Sequence, residues 1–85
     1  MRFDWDAHNR KKLGAHGVTT REFEQAFAVR LIEERNLVGR ERRKIAVGHT
    51  EAGRVLVLVY TIRRGKVRAV TAYESRKARE QWQKK

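Results

Sequence analysis

The second half of the sequence carries side chains that can move protons and side chains that can hold an anion. His49 lies at the end of a predicted strand, and imidazole side chains titrate near neutral pH. Arg54 begins the next predicted strand, and Arg68 lies on the hairpin partner of that strand. Both guanidinium groups are therefore expected to project from one sheet and to grip one phosphate. Glu51 and Tyr73 are further candidates for proton donors or acceptors.

Each of these candidates also has a purely structural interpretation. His49 can be an exposed turn residue, and Glu51 can be a solvated carboxylate. Tyr73 lies where a strand meets a helix and suits packing as well as a site, whereas Tyr60 is expected in the core. His16 stands beside a glycine and can simply hold a turn. The histidines lack the spacing of a tetrahedral zinc site, and no Walker loop is present, so neither a metal nor a cofactor is predicted.

The chain is strongly basic. Its 85 residues include 21 Lys and Arg against 10 Asp and Glu, which gives a formal charge of +11. Such an excess indicates an anionic partner, and nucleic acid is the common one. A ribosome binder, a membrane-surface protein or the partner of an acidic protein would show the same excess. The side chains expected to follow a nucleic-acid backbone are Arg42, Arg43, Lys44, Arg63, Arg64, Arg76 and Arg79.

The composition excludes several protein classes. The absence of cysteine excludes disulfides and thiolate chemistry. No apolar run is long enough for a transmembrane helix. Charged residues at positions 2, 4 and 6 interrupt the N-terminus before a secretory signal could form, so we expect a cytoplasmic protein. A chain of this length has room for one hydrophobic core, and residues 1–85 are predicted to form a single domain.

The N-terminal segment predicts a short strand followed by a helix. Residues 1–5 alternate polar and apolar side chains, as a short edge strand does. Asp6 can cap a helix over residues 7–13, which Gly14 would end.

A second helix is predicted from about position 20. Thr19 and Glu22 match a capping box, in which each side chain bonds the backbone of the other. The end of this helix is ambiguous, because residues 29–33 continue the helical stripe but also suit a strand. Residues 36–39 have the composition of a turn.

The remainder predicts antiparallel strands. The basic run at 40–44 leads into a strand at 45–47. Residues 54–62 alternate two apolar sets and form the strongest predicted strand, with both faces buried. Residues 63–66 form a hairpin turn with a glycine available for positive φ, and residues 67–73 return as the partner strand.

A last helix completes the predicted elements. Glu74 or Ser75 can cap it, and Ala78 and Trp82 lie one turn apart and can dock on the sheet. The predicted fold class is therefore α+β, with helices packed against one face of an antiparallel β-sheet.

Several short motifs follow one another in an order and spacing that span nearly the whole chain. They are Phe3-Asp4-Trp5-Asp6, Asn9-Arg10, His16-Gly17-Val18-Thr19 with Glu22, Ile45-Ala46-Val47-Gly48-His49-Thr50-Glu51-Ala52-Gly53-Arg54, Val59-Tyr60-Thr61 and Val70-Thr71-Ala72-Tyr73. In this order they resemble the BrnT family of type II toxins, a group of small bacterial ribonucleases.

The resemblance implies a fold, an activity and partners. The fold would be RelE-like with the order β-α-α-β-β-β-β-α, in which the second helix ends near Ala28 and residues 30–35 are extended. The activity would be endoribonuclease cleavage without a metal ion or cofactor, by attack of the 2′-hydroxyl on the adjacent phosphorus. The partners would be RNA, bound by the basic residues named above, and a cognate BrnA-like antitoxin with acidic segments. A toxin homodimer within that complex is a further expectation.

The sequence departs from the usual pattern of that family at three positions. Ala15 stands where a basic residue commonly precedes the His-Gly pair, Tyr73 stands where an Arg is frequent, and Ala78 replaces an acidic residue. Two other interpretations stay open, of which the second is the one that these departures permit. One is a non-catalytic basic module that binds nucleic acid, and the other is an inactive toxin-like regulator.

Overall fold

The computed structural model describes the backbone of residues 2–38 and 41–83 and the side chains of residues 2–31 and 42–83. The elements are β1 (Arg2–Phe3), α1 (Ala7–Ala15), α2 (Thr20–Ala28), β2 (Leu31–Val38), β3 (Glu41–His49), β4 (Val55–Arg63), β5 (Lys66–Tyr73) and α3 (Arg76–Gln83). This order and the α+β class confirm the prediction. Within the described ranges, no helix is both long enough and apolar enough to span a bilayer.

The described strands form one five-stranded sheet in the order β1-β5-β4-β3-β2. Strands β2 to β5 pair antiparallel, as predicted. The sheet as a whole is mixed, because β1 pairs parallel to β5 with Phe3 opposite Val67. Phe3 packs edge-on against the rings of Phe23 and Phe27, and this contact anchors the two-residue strand.

The cap of α1 is the predicted one, but the helix ends later than predicted. The Asp6 carboxylate accepts from the backbone N–H of Asn9 over 2.9 Å, and the Asn9 amide oxygen accepts from the backbone N–H of Asp6 over 2.8 Å. Gly14 lies inside the helix. The turn is made by Gly17, whose φ is +67°, and the Val18 N–H closes the helix end on the carbonyl of Leu13 over 3.0 Å.

The segment after α2 is a longer strand than the sequence indicates. The capping box of Thr19 and Glu22 and the end of α2 at Ala28 confirm the prediction, and β2 follows at once. The predicted turn at 36–39 is wrong for residues 36–38, which pair with β3; position 39 lies outside the described residues. Strand β3 also begins earlier than predicted and includes residues 41–44, because pairing with β2 outweighs the weak strand propensity of this basic run.

Strand β4 is buried on both faces, as its alternation predicts. Leu56, Leu58 and Tyr60 belong to the core beneath α1 and α2, on what we call the α1–α2 face of the sheet. Val55 and Val57 belong to a smaller core beneath α3, on what we call the α3 face. Helices therefore cover both faces of the sheet, and the prediction that they pack on one face is wrong, because β4 is apolar on both sides. The β4–β5 hairpin then turns through two residues with positive φ, at positions 64 and 65, the geometry of a type I′ turn.

Candidate functional site

The start of β4 is held in place by a tight turn. The Thr50 N–H donates to the carbonyl of Arg54 over 2.9 Å, and the Arg54 N–H donates to Thr50 Oγ1 over 3.0 Å. Gly53, with φ of +86°, supplies the left-handed residue of the turn. Because Val55 faces α3, strand alternation turns the Arg54 side chain to the α1–α2 face.

Arg54 joins three elements on that face. Its Nη1 donates to Glu22 Oε2 over 2.9 Å and to the carbonyl of Gly17 over 2.8 Å, and its Nε donates to the carboxylate of Glu74. The hydrogen bond to Glu74 and then that to Glu22 raise the pKa of Arg54. Burial opposes ionisation of Glu22, but the bonds from Arg54 and Thr19 outweigh it and lower the pKa of that carboxyl.

Two aromatic side chains border this ion-pair network. The rings of His16 and Tyr73 lie 6.0 Å apart between centroids, with an angle of 50° between their planes. His16 precedes Gly17, whose carbonyl binds Arg54, and Tyr73 precedes Glu74. Both rings are exposed. We call the set His16, Glu22, Arg54, Tyr73 and Glu74 the Arg54 cluster.

An open cleft of about 440 Å³ lies on one side of the cluster. Arg54, Glu74, Arg76 and Arg79 contribute to its walls. Two of the arginines predicted to bind RNA therefore share a cleft with Arg54. The cluster and cleft together offer a fixed cation, two carboxylates, an imidazole and a phenol, which are groups that can hold a phosphate and transfer protons.

The His49 side chain lies apart from that of Arg54. His49 pairs with Val55 on the α3 face, where its Nδ1–H donates to the carbonyl of Thr50 over 2.9 Å. Its ring also contacts Trp82 edge-on, with centroids 5.3 Å apart. Glu51 is exposed in the turn. Alternation therefore places His49 and Arg54, both candidates from the sequence for one site, on opposite faces of the sheet.

Arg68 lies at the other end of the sheet. It pairs across the strands with Thr61, which is seven residues along β4 from Arg54, a separation of roughly 23 Å. Its guanidinium binds Asp6 over 2.8 Å and Asp4 over 3.4 Å. The hydrogen bond to Asp6 raises the pKa of Arg68. The expectation that Arg54 and Arg68 hold one phosphate is therefore wrong.

The remaining predicted basic residues are divided between surfaces. Lys44 pairs with Tyr60, so Arg42 and Lys44 point to the α1–α2 face and Arg43 to the α3 face. Arg64 is exposed in the hairpin turn. A second cleft, of about 330 Å³, is lined by His8, Lys12, Arg43, Arg63, Arg68, Ala69 and Val70. Over the described part of the chain, no cluster of three or more His, Cys, Asp or Glu side chains could hold a metal ion.

Sequence reasoning missed the carboxylates of the cluster. Glu22 was assigned to a capping box and Glu74 to a helix cap, and neither was connected with Arg54. The capping signal of Glu22 is local, whereas its partner lies 32 residues away. The sequence indicates a turn role for His16, and its contact with Tyr73 arises because the α1–α2 loop lies against the end of β5.

Comparison with known proteins adds one family. No curated protein and no solved structure matches the chain. The family model described as ribonuclease toxin, BrnT, of type II toxin-antitoxin system matches residues 5–80, which include every residue of the Arg54 cluster. This match covers most of the 85 residues, so the chain belongs to the BrnT family of ribonuclease toxins.

Proposed function

We propose that this protein is an endoribonuclease toxin that cleaves RNA at the Arg54 cluster without a metal ion. The family membership supports ribonuclease activity, and the position of Arg54 at an open cleft beside His16 and Tyr73 is the observation that supports this location. Arg68 lies at the opposite end of the sheet and is not part of the proposed site.

Arg54 would bind the scissile phosphate. Glu74 is the partner that a phosphate can replace, because its carboxylate is 57% exposed and lines the cleft, while Glu22 is only 26% exposed. An exposed ion pair contributes little stability, so its exchange for a phosphate oxygen costs little. Glu22 and the Gly17 carbonyl would keep the guanidinium in place, where it can stabilise the charge of the phosphorane.

His16 and Tyr73 would transfer the protons. The reaction needs a base for the 2′-hydroxyl and an acid for the leaving 5′-oxygen, and an imidazole and a phenol can serve in these roles. The phosphorus forms a bond to the 2′-oxygen and loses the bond to the 5′-oxygen, which leaves a 2′,3′-cyclic phosphate. Arg76 and Arg79 would hold the neighbouring backbone phosphates along the cleft.

The type II family assignment implies a protein antitoxin, and we propose a BrnA-like one with acidic segments. Such a partner would offset the formal charge of +11 and cover the basic surface. A toxin homodimer inside that complex is part of the proposal. Since the substrate is cellular RNA, the site of action would be the cytoplasm.

Incubation of the pure protein with RNA in EDTA tests the activity. We expect cleavage that EDTA does not prevent and products that end in a 2′,3′-cyclic phosphate. Arg54→Ala should lower the rate by about 10²–10³-fold, as the loss of one charge-stabilising donor does. Loss of cleavage in EDTA would contradict the metal-independent mechanism.

A matched pair of histidine variants tests the location. His16→Ala should lower cleavage by about 10²–10⁴-fold, whereas His49→Ala should cleave at nearly the normal rate. The reverse result would move the reaction to the α3 face. The non-catalytic binding module would be favoured if neither the unaltered protein nor any variant cleaves RNA and RNA affinity falls gradually as basic residues are replaced.

A further inference from the structure

The second cleft brings basic side chains of four elements together. His8 and Lys12 come from α1, Arg43 from β3, Arg63 from β4 and Arg68 from β5. We call this set the distal cleft, because it lies at the far end of β4 from Arg54. Its volume of about 330 Å³ is large enough for a phosphate group with part of its sugar.

The charge of the distal cleft favours an anion. Among its basic side chains, Arg68 is bound by both Asp4 and Asp6, whereas Lys12 and Arg63 are exposed. The two carboxylates hold the Arg68 guanidinium in one orientation. A positive charge therefore remains in the cleft.

The sheet beside the distal cleft contains an unpartnered hydroxyl. Thr61 pairs directly with Arg68 across the strands and precedes Arg63 by two residues, on the α3 face. The residue is 4% exposed, and its Oγ1 has no hydrogen-bond partner among the described groups. Because this Oγ1 is buried and Thr61 does not line the cleft, the hydroxyl is not a ligand-binding group, and the case for a ligand in the cleft rests on the basic side chains alone.

The cover that α3 provides stops short of this end of the sheet. Its contacts are with Val47, Val55 and Val57, near the start of β4. The distal cleft therefore opens to solvent. Its distance from the Arg54 cluster is roughly 23 Å, the separation of Arg54 and Thr61 along the strand. One phosphodiester cannot reach both sites. A single strand that joins them would have to run from the cleft of Arg54, Arg76 and Arg79 along the α3 side of the sheet, which takes several nucleotides.

We propose that the distal cleft is a second phosphate-binding site, which holds the backbone of single-stranded RNA several nucleotides from the bond that the Arg54 cluster cleaves. The inference rests on the proposed function for the location of the cleaved bond. It adds a length requirement: tight binding needs a strand that spans both sites, because the second contact is then intramolecular.

The test measures binding of 2′-O-methyl oligoribonucleotides, which cannot be cleaved because the attacking hydroxyl is blocked. Probes of about three and about twelve nucleotides distinguish one site from two. The variant Lys12→Gln with Arg63→Gln removes two charges of the distal cleft. The control Arg10→Gln with Arg21→Gln removes two exposed charges that do not line it.

We expect the cleft variant to bind the long probe at least tenfold more weakly than the control variant does, and to bind the short probe equally well. The slope of log affinity against log salt for the long probe should fall by about 1.4, or 0.7 for each lost phosphate contact. Equal losses in the two variants, or equal losses for the two probes, would overturn the proposal.

Because the probe is not cleaved, this result is independent of catalysis. A protein without ribonuclease activity can still show the length-dependent loss, in which case the cleavage mechanism fails and the distal site stands. If the protein cleaves short RNA but the cleft variant binds the long probe as tightly as the control variant does, the proposed function stands and the distal site is wrong. The RNA assignment would also be overturned if an acidic peptide bound at the distal cleft and the cleft variant bound RNA as tightly as the control variant does.

Discussion

Arg54 and Glu22 form an ion pair of 2.9 Å that connects the start of β4 to the first turn of α2, across 32 residues of sequence. The same Glu22 side chain accepts from the backbone N–H of Thr19 over 3.0 Å and so caps the helix. One carboxylate thus serves both the local stability of α2 and the orientation of the proposed catalytic arginine.

Glu22→Gln should lower the free energy of unfolding at neutral pH. It should also make the decrease of that free energy in acid smaller. The folded pKa of Glu22 lies below its unfolded value of about 4.5, so its contribution is present above pH 4.5 and is lost as the pH falls through the folded pKa. Partial exposure limits the effect to below about 1 kcal/mol. Urea unfolding at pH 7 and pH 3.5 measures it. Glu51→Gln, at an exposed position, should change neither value, and an equal effect of both substitutions would contradict the assignment.

Gly48→Ala should destabilise the fold strongly. A Cβ at this position of β3 would lie 2.0 Å from the carbonyl oxygen of Ala26 in α2, and a backbone atom cannot move aside as a side chain can. We expect a loss of about 3 kcal/mol or more in the free energy of unfolding. Gly14→Ala is the matched control, because no atom lies within 4 Å of its added Cβ inside α1. The Gly14→Ala variant should gain about 0.5–1 kcal/mol in the free energy of unfolding. If Gly48→Ala leaves that free energy unchanged, α2 packs less closely on β3 than the structure shows.

Trp82→Ala should release α3 without unfolding the main core. Trp82 packs on the small core of the α3 face and against His49, so its removal should cost about 2 kcal/mol, part of the cost for a fully buried tryptophan. Amide exchange of residues 76–83 should accelerate. RNA affinity should also fall, because α3 positions Arg76 and Arg79. Trp5→Ala removes a similar ring from the other face and should leave exchange in α3 unchanged.

Tyr73→Phe should reduce cleavage while preserving RNA affinity. The substitution removes the phenolic proton and keeps the ring that contacts His16, so a role in proton transfer predicts a loss of about 10²–10⁴-fold in rate. Tyr60→Phe is the control, since that hydroxyl is buried and accepts from Arg30 Nε over 3.1 Å, away from the cluster. Single-turnover cleavage of a labelled RNA compares the two. Normal cleavage by Tyr73→Phe would assign Tyr73 to packing.

Features governed by neighbouring residues could be predicted from the sequence. The structure confirms three such predictions: the Asp6 cap, the Thr19–Glu22 capping box and the burial of residues 55–61 on both faces. Each depends on contacts within a few residues, or on a period of two along a single strand, and these are visible in the sequence. The resemblance to the BrnT family implies the order of the elements and the extended conformation of residues 30–35.

The composition of the candidate site was decided by the tertiary structure. The sequence established the residue types that can act on a phosphate. It joins Arg54 and Arg68 as hairpin partners and offers His49 as the residue at an accessible strand end. Strand alternation around the β3–β4 turn places His49 and Arg54 on opposite faces, and the antiparallel register sends Arg68 to the far end of the sheet. Glu22 and Glu74 reach Arg54 only through the packing of α2 and the end of β5 on one edge. Which side chains meet is determined by register and by long-range packing, and neither leaves a pattern within a short stretch of sequence.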